Sequence, residues 1–97
     1  MIVEWSEQAA AQLQAIRDYL ARSSPGYAQG LADRIVQRTE NLAEFPLLGA
    51  EVPEYTDETL REIIEHPYRI LYRVHEEQVQ IITVVHASRR LPRNPPG

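Results

Sequence analysis

The run Tyr68-Arg69-Ile70-Leu71-Tyr72-Arg73-Val74, followed closely by Val79-Gln80-Ile81-Ile82-Thr83-Val84-Val85-His86, decides how this chain folds. Both runs are rich in β-branched and aromatic residues and alternate in polarity, the pattern of paired strands rather than of a helix. They predict an antiparallel hairpin with strands over 68–75 and 79–86. Glu76-Glu77 between them lacks the Gly or Asn of a tight primed turn, which points to a slightly longer or bulged connection. Strict alternation puts Tyr68, Ile70, Tyr72, Val74, Val79, Ile81, Thr83 and Val85 on one face, the natural seat for helices. The other face then holds Arg69, Leu71, Arg73, His75, Gln80, Ile82, Val84 and His86. That face is too greasy for open solvent and too charged for a core, so something is expected to cover it.

Upstream, Leu60–Glu65 reads as a third strand. It follows a loop over 46–59 punctuated by Pro46, Gly49 and Pro53 and made acidic by Glu51, Glu54, Asp57 and Glu58. Before the loop the period changes. Ala9, Leu13, Ile16 and Leu20 form one helical stripe to about Arg22, entered through a Ser6 N-cap. Ala28, Leu31, Ile35, Leu42 and Phe45 form a second, opened by Ser24-Pro25 and closed by Pro46. A short turn joins the two helices, so they are expected to pack as an antiparallel pair. Ile2–Trp5 adds a short strand at the start. The expected fold class is α+β: an N-terminal strand, an antiparallel helix hairpin, then three antiparallel strands forming one sheet with the helices on one face. Residues 87–97, with three prolines, read as an irregular, partly mobile basic tail.

Ninety-seven residues make one domain, and the absence of cysteine excludes disulfides, zinc–thiolate sites and a thiol nucleophile. All ten basic residues are arginine. Residues 1–66 carry five Arg against twelve acids, giving −7, and residues 67–97 carry five Arg against two acids, giving +3. A net charge of −4 suits general phosphate-backbone binding poorly. No apolar stretch approaches the roughly 20 residues of a membrane span, and no export signal is evident, so a cytoplasmic location is expected. The three histidines lack metal-ligand spacing, so no metal site is expected.

Several pieces in order resemble one family: Val3-Glu4-Trp5-Ser6, Ile16 with Tyr19-Leu20, Ser24-Pro25, Pro46-Leu47-Leu48-Gly49, Leu60-Arg61-Glu62-Ile63, Tyr68 to Val74, and Val84-Val85-His86-Ala87-Ser88-Arg89. Together they are similar to the toxins of bacterial type II toxin–antitoxin modules, the RelE/ParE superfamily. The strand end with His86 three residues before Arg89 resembles the ParE-like branch more than RelE. The resemblance implies a single toxin domain over residues 1–97 that needs no cofactor. It arrests growth until a cognate antitoxin wraps it in a hetero-oligomer. A ParE-like toxin poisons DNA gyrase; a RelE-like one cleaves mRNA on the ribosome.

Cleaving RNA takes a base for the 2′-hydroxyl, cations for the developing phosphate charge and an acid for the leaving oxygen. The strand Leu60-Arg61-Glu62-Ile63 has no Lys, and Glu62 falls where RelE-like nucleases place a cation. A nuclease version of this chain would rest on Arg61, Glu62, His86 and Arg89, and no aromatic follows His86 to complete it. The ParE-like reading has no catalytic residues. It assigns target binding to Arg61, Arg89, Arg90 and Arg93, and antitoxin binding to Arg69, Leu71, Arg73, Ile82 and Val84 on the mixed sheet face. Tyr68 and Tyr72 read as core aromatics, Trp5 as the anchor of the first strand, and His66 and His75 as turn residues.

Overall fold

The computed structural model describes all of residues 1–97. Strand β1 (Ile2–Trp5) leads into helix α1 (Glu7–Ala21), helix α2 (Pro25–Glu40) and a 3-10 turn (Asn41–Ala43). Strands β2 (Ala50–Glu51), β3 (Leu60–Glu65), β4 (Tyr68–Val74) and β5 (Gln78–His86) complete the chain. They form one five-stranded sheet in the order β1-β5-β4-β3-β2, in which β1 runs parallel to β5 and every other pair is antiparallel. The expected α+β arrangement is present. β2 was not expected, because two residues carry no readable period; Ala50 and Glu51 pair with Glu62 and Arg61 and extend the sheet beyond β3.

Ser6 caps α1 as its sequence position predicts: its Oγ accepts from the Ala9 N–H at 3.0 Å. The same hydroxyl donates to the Ile82 carbonyl at 2.9 Å, so one residue both starts the helix and latches it to the edge of β5. Pro25 opens α2 at its first turn, with Ser24 before it making no side-chain cap bond. Ala9, Leu31, Ile35, Leu42, Ile63, Ile70, Tyr72, Val79, Ile81 and Val84 meet in the main core between helices and sheet, with Leu13, Ile16 and Leu20 of α1 packed against it. Each large aliphatic there contributes about 1.5–3 kcal/mol by leaving water. α2 stops at Glu40, short of the expected Phe45. The 3-10 turn that follows buries Leu42 completely and swings Phe45 outward, to 57% exposure.

The hairpin departs from strict alternation. Leu71 lies opposite Thr83 but Tyr72 lies opposite Ile81, which leaves Ile82 as an extra residue in β5. One extra residue reverses the facing of everything beyond it. Thr83 and Val85, expected under the helices, therefore join Leu71 and Arg69 on the outer face. Val84 and His86, expected outside, lie on the helix face with Ile70 and Tyr68. The irregularity predicted for the hairpin sits inside its strands; the turn itself is closed by the His75 N–H on the Gln78 carbonyl at 2.8 Å.

The outer face is covered, as its composition implied, but by the chain itself. Val52, Leu60, Leu71, Ile82, Val85 and Leu91 form a second core with Tyr55 against it, roofed by the acidic loop and the C-terminal residues. The tail is irregular as expected and docked rather than loose. Leu91 is buried, the Tyr55 hydroxyl donates to the Pro92 carbonyl at 2.6 Å, and Arg73 donates to the Pro96 carbonyl at 3.2 Å.

Candidate functional site

Two arginines of β4 organise the outer face. Arg69 donates through Nη1 and Nη2 to the two carboxylate oxygens of Glu54 at 2.6 and 2.8 Å, and through Nε to Glu62 at 2.6 Å. The planar guanidinium is thus used on both of its edges, the geometry for which Arg surpasses Lys. These bonds hold Arg69 firmly protonated, Glu54 foremost, while Arg69 holds the Glu54 carboxyl below the usual range. Arg73 donates to Asp57 at 2.6 Å and to the Thr59 hydroxyl at 2.8 Å. With Arg73 and Thr59 as donors, the Asp57 carboxyl drops to about 2. Both β4 arginines are therefore neutralised within the chain.

This placement corrects the expected antitoxin surface. Leu71 and Ile82 are buried in the second core, Val84 is buried under the helices, and Arg69 and Arg73 are tied to the acidic loop. None of the five side chains forms part of an open face. Glu54 and Asp57 were the residues not singled out in advance. The available signal was the acidity of 51–58 beside an arginine-bearing hairpin, without any indication of which acid meets which base.

Arg61 points to the other side of β3, toward Tyr72, and donates to the Gly49 carbonyl at 2.8 Å. Tyr72 donates its hydroxyl proton to the Pro46 carbonyl at 2.9 Å and accepts from the Gly49 N–H at 2.8 Å; burial pushes this phenol up. The three residues clamp the loop 46–49. Gly49 is required by close approach: a Cβ there would lie 2.3 Å from the Glu62 carbonyl oxygen and 2.7 Å from the Tyr72 hydroxyl. The expected target residue Arg61 is thus a partly buried loop anchor.

His86 lies at the far end of the hairpin, opposite Tyr68, with the two rings edge to face at 5.5 Å. Its Nδ1 accepts from the Ser88 N–H at 3.1 Å and lies 2.8 Å from the Ser88 hydroxyl. The neutral ring then carries its proton on Nε2, leaving no free lone pair for a general base. Arg61 and Glu62 occupy opposite faces of β3, and Arg61 sits four residues along the strand from Glu65, the residue level with Tyr68 and His86. At about 3.3 Å per residue that is roughly 13 Å. Arg61, Glu62, His86 and Arg89 do not converge on one point.

Two surfaces stay open. Arg89, Arg90 and Arg93 are exposed and make no ion pair. A groove of about 320 Å³ runs between the helices, lined by Trp5, Leu13, Arg17, Ala32, Asp33 and Val36 among others. Beside it, Gln12 of α1 finishes the β5 edge that β1 leaves bare, its Oε1 accepting from the Val84 N–H and the Thr83 hydroxyl, both at 2.8 Å. No helix is long and apolar enough to cross a membrane.

A helix pair on a mixed sheet, an internally neutralised outer face, an open helix groove and a free arginine tail define a small α+β effector domain built to meet other macromolecules. Residues 3–91 match the family described as the ParE toxin of the type II toxin–antitoxin system parDE. The chain therefore belongs to the ParE toxin family. It is 40% identical over 88 residues to toxin RelE2 of Caulobacter vibrioides, spanning 90% of this chain and 96% of that protein. It also superposes on a chain from the chromosomal ParDE toxin–antitoxin system of P. aeruginosa with a TM-score of 0.74 and 27% identity, over 89% of this chain and 95% of that one.

Proposed function

We propose that this toxin acts without covalent chemistry, binding DNA gyrase and trapping its DNA cleavage–religation cycle, and that a cognate antitoxin silences it from the helix groove. The observation that carries this reading is the neutralised outer face. A ribonuclease needs cations free to meet a phosphate, and here Arg69 is spent on Glu54 and Glu62 while Arg73 is spent on Asp57. The separation of Arg61, Glu62 and His86 and the proton placement on His86 argue the same way. Arg89, Arg90 and Arg93 are the exposed cations left for the target complex. The groove lined by Trp5, Leu13 and Val36 has the apolar floor and polar rim that suit an amphipathic antitoxin helix.

A gyrase supercoiling assay with the purified chain, freed of antitoxin, tests the proposal. Loss of supercoiling with accumulation of cleaved DNA is the expected result. An inert sample that is folded and binds its antitoxin would reject the gyrase reading. Cleavage of mRNA by that sample in a translating extract would then establish the ribosome-dependent nuclease in its place.

A further inference from the structure

The loop between α2 and β2 holds apolar side chains out in water on a rigid base. Phe45, Leu47 and Leu48 are 57%, 63% and 57% exposed, and with Pro46 they make one continuous apolar knob. The base is over-determined for a surface loop. Leu42 is fully buried beneath it, the Phe45 N–H donates to Asn41 at 3.0 Å, and the Leu48 N–H donates to Phe45 at 3.1 Å. Tyr72 then bridges Pro46 and Gly49, and Arg61 fixes the Gly49 carbonyl. An exposed apolar cluster that the fold keeps in a single conformation has the character of a binding anchor, since the ordering cost is met before a partner arrives.

The charge around the knob identifies the partner's chemistry. No basic residue lies between Arg38 and Arg61, while six acids do. Glu54 and Asp57 are consumed by Arg69 and Arg73, which leaves Glu40, Glu44, Glu51 and Glu58 without an ion pair. An apolar knob with an acidic rim complements an apolar cleft with a cationic rim. An enzyme that grips DNA must carry a cationic surface to hold the phosphates.

We infer that the Phe45–Leu48 knob is the anchor by which this toxin docks on the cationic, DNA-holding surface of its target. The inference rests on the gyrase reading and names the contact. It gives the split charge of the chain a use. The acidic body meets the enzyme's cationic face, and the arginine tail meets the negatively charged DNA held there.

The double substitution Leu47→Ser/Leu48→Ser tests this, with the rim variant Glu44→Arg beside it and thermal unfolding as the control for folding. Affinity for purified gyrase is measured at low and at physiological ionic strength, and affinity for the antitoxin is measured in parallel. The double variant is expected to bind gyrase at least about tenfold more weakly, as for truncation of an anchoring residue. Glu44→Arg is expected to weaken binding at low salt, where the Debye length is long, and to matter less at about 0.15 M. Antitoxin affinity should be unchanged in both. Undiminished gyrase affinity in the double variant would overturn the inference alone, as would an equal loss of antitoxin affinity. A wild-type chain that ignores gyrase altogether would overturn the functional reading beneath it.

Discussion

Arg69 grips Glu54 with both guanidinium nitrogens, at 2.6 and 2.8 Å, and so draws the loop before β3 down over the outer face of β4. The third contact of the same guanidinium, on Glu62, joins that loop to the neighbouring strand. A cation that sequence alone offers to a partner is in this way a structural rivet. Beneath it the second core of Val52, Leu71, Ile82 and Leu91 stays dry.

Replacing Arg69 by Met should therefore destabilise the chain by about 2–3 kcal/mol. It leaves the Glu62 carboxylate, only 11% exposed, beside Glu54 with no cation. Urea unfolding measures the loss. Adding Glu54→Gln and Glu62→Gln to Arg69→Met should restore part of it, because the uncompensated charges are then gone.

Acid should loosen the same face. The Asp57 carboxyl is depressed from 3.8 to about 2 and Glu54 is also lowered, so both groups bind protons less readily folded than unfolded. Their stabilising contribution is fully present above the unfolded values, and it is lost as pH falls through about 4 toward 2. The urea midpoint should fall across that window, and Asp57→Asn should flatten part of the fall. A midpoint with the same pH dependence in wild type and variant would contradict the Arg73–Asp57 link.

The clamp on the 46–49 loop predicts two further losses. Tyr72→Phe removes the hydroxyl that satisfies both Pro46 and Gly49 and should cost about 1–3 kcal/mol, with faster hydrogen exchange concentrated at the Gly49 amide. Gly49→Ala must displace the β3 backbone or the Tyr72 ring and should cost about 1–3 kcal/mol as an overpacked site.

Gln12→Ala should fray the end of β5. The side chain accepts from the Val84 N–H and the Thr83 hydroxyl where no strand continues β1. Its removal should cost about 1 kcal/mol or somewhat more and raise exchange at Val84, leaving Tyr72 and Ile70 protected.

His86→Ala and Glu62→Gln should leave growth arrest intact in cells lacking the antitoxin, provided the variants remain folded. Loss of a group acting as base or acid in cleavage would instead lower the rate by about 10²–10⁴-fold. A selective loss of that size would favour the ribonuclease over the gyrase poison.

The helix stripes, the Ser6 cap, the Pro25 start, the hairpin and the family resemblance were all legible along the chain, because each rests on residues a few positions apart. Local period and local stereochemistry suffice for those. The bulge at Leu71/Tyr72 was not legible: one extra residue leaves a run such as Ile81-Ile82-Thr83-Val84-Val85 equally apolar in either register, and only pairing with β4 selects one. The partners of Arg69, Arg73 and Arg61 were hidden for a related reason. Glu54, Asp57 and Gly49 lie 15, 16 and 12 residues away, and a charge pattern says that acids and bases balance without saying which ones meet. The sequence established which faces are apolar and where the charge sits. Packing the loop and tail onto the outer face settled which of those charges are internal and which remain to meet a partner, since that depends on contacts the chain makes only once folded.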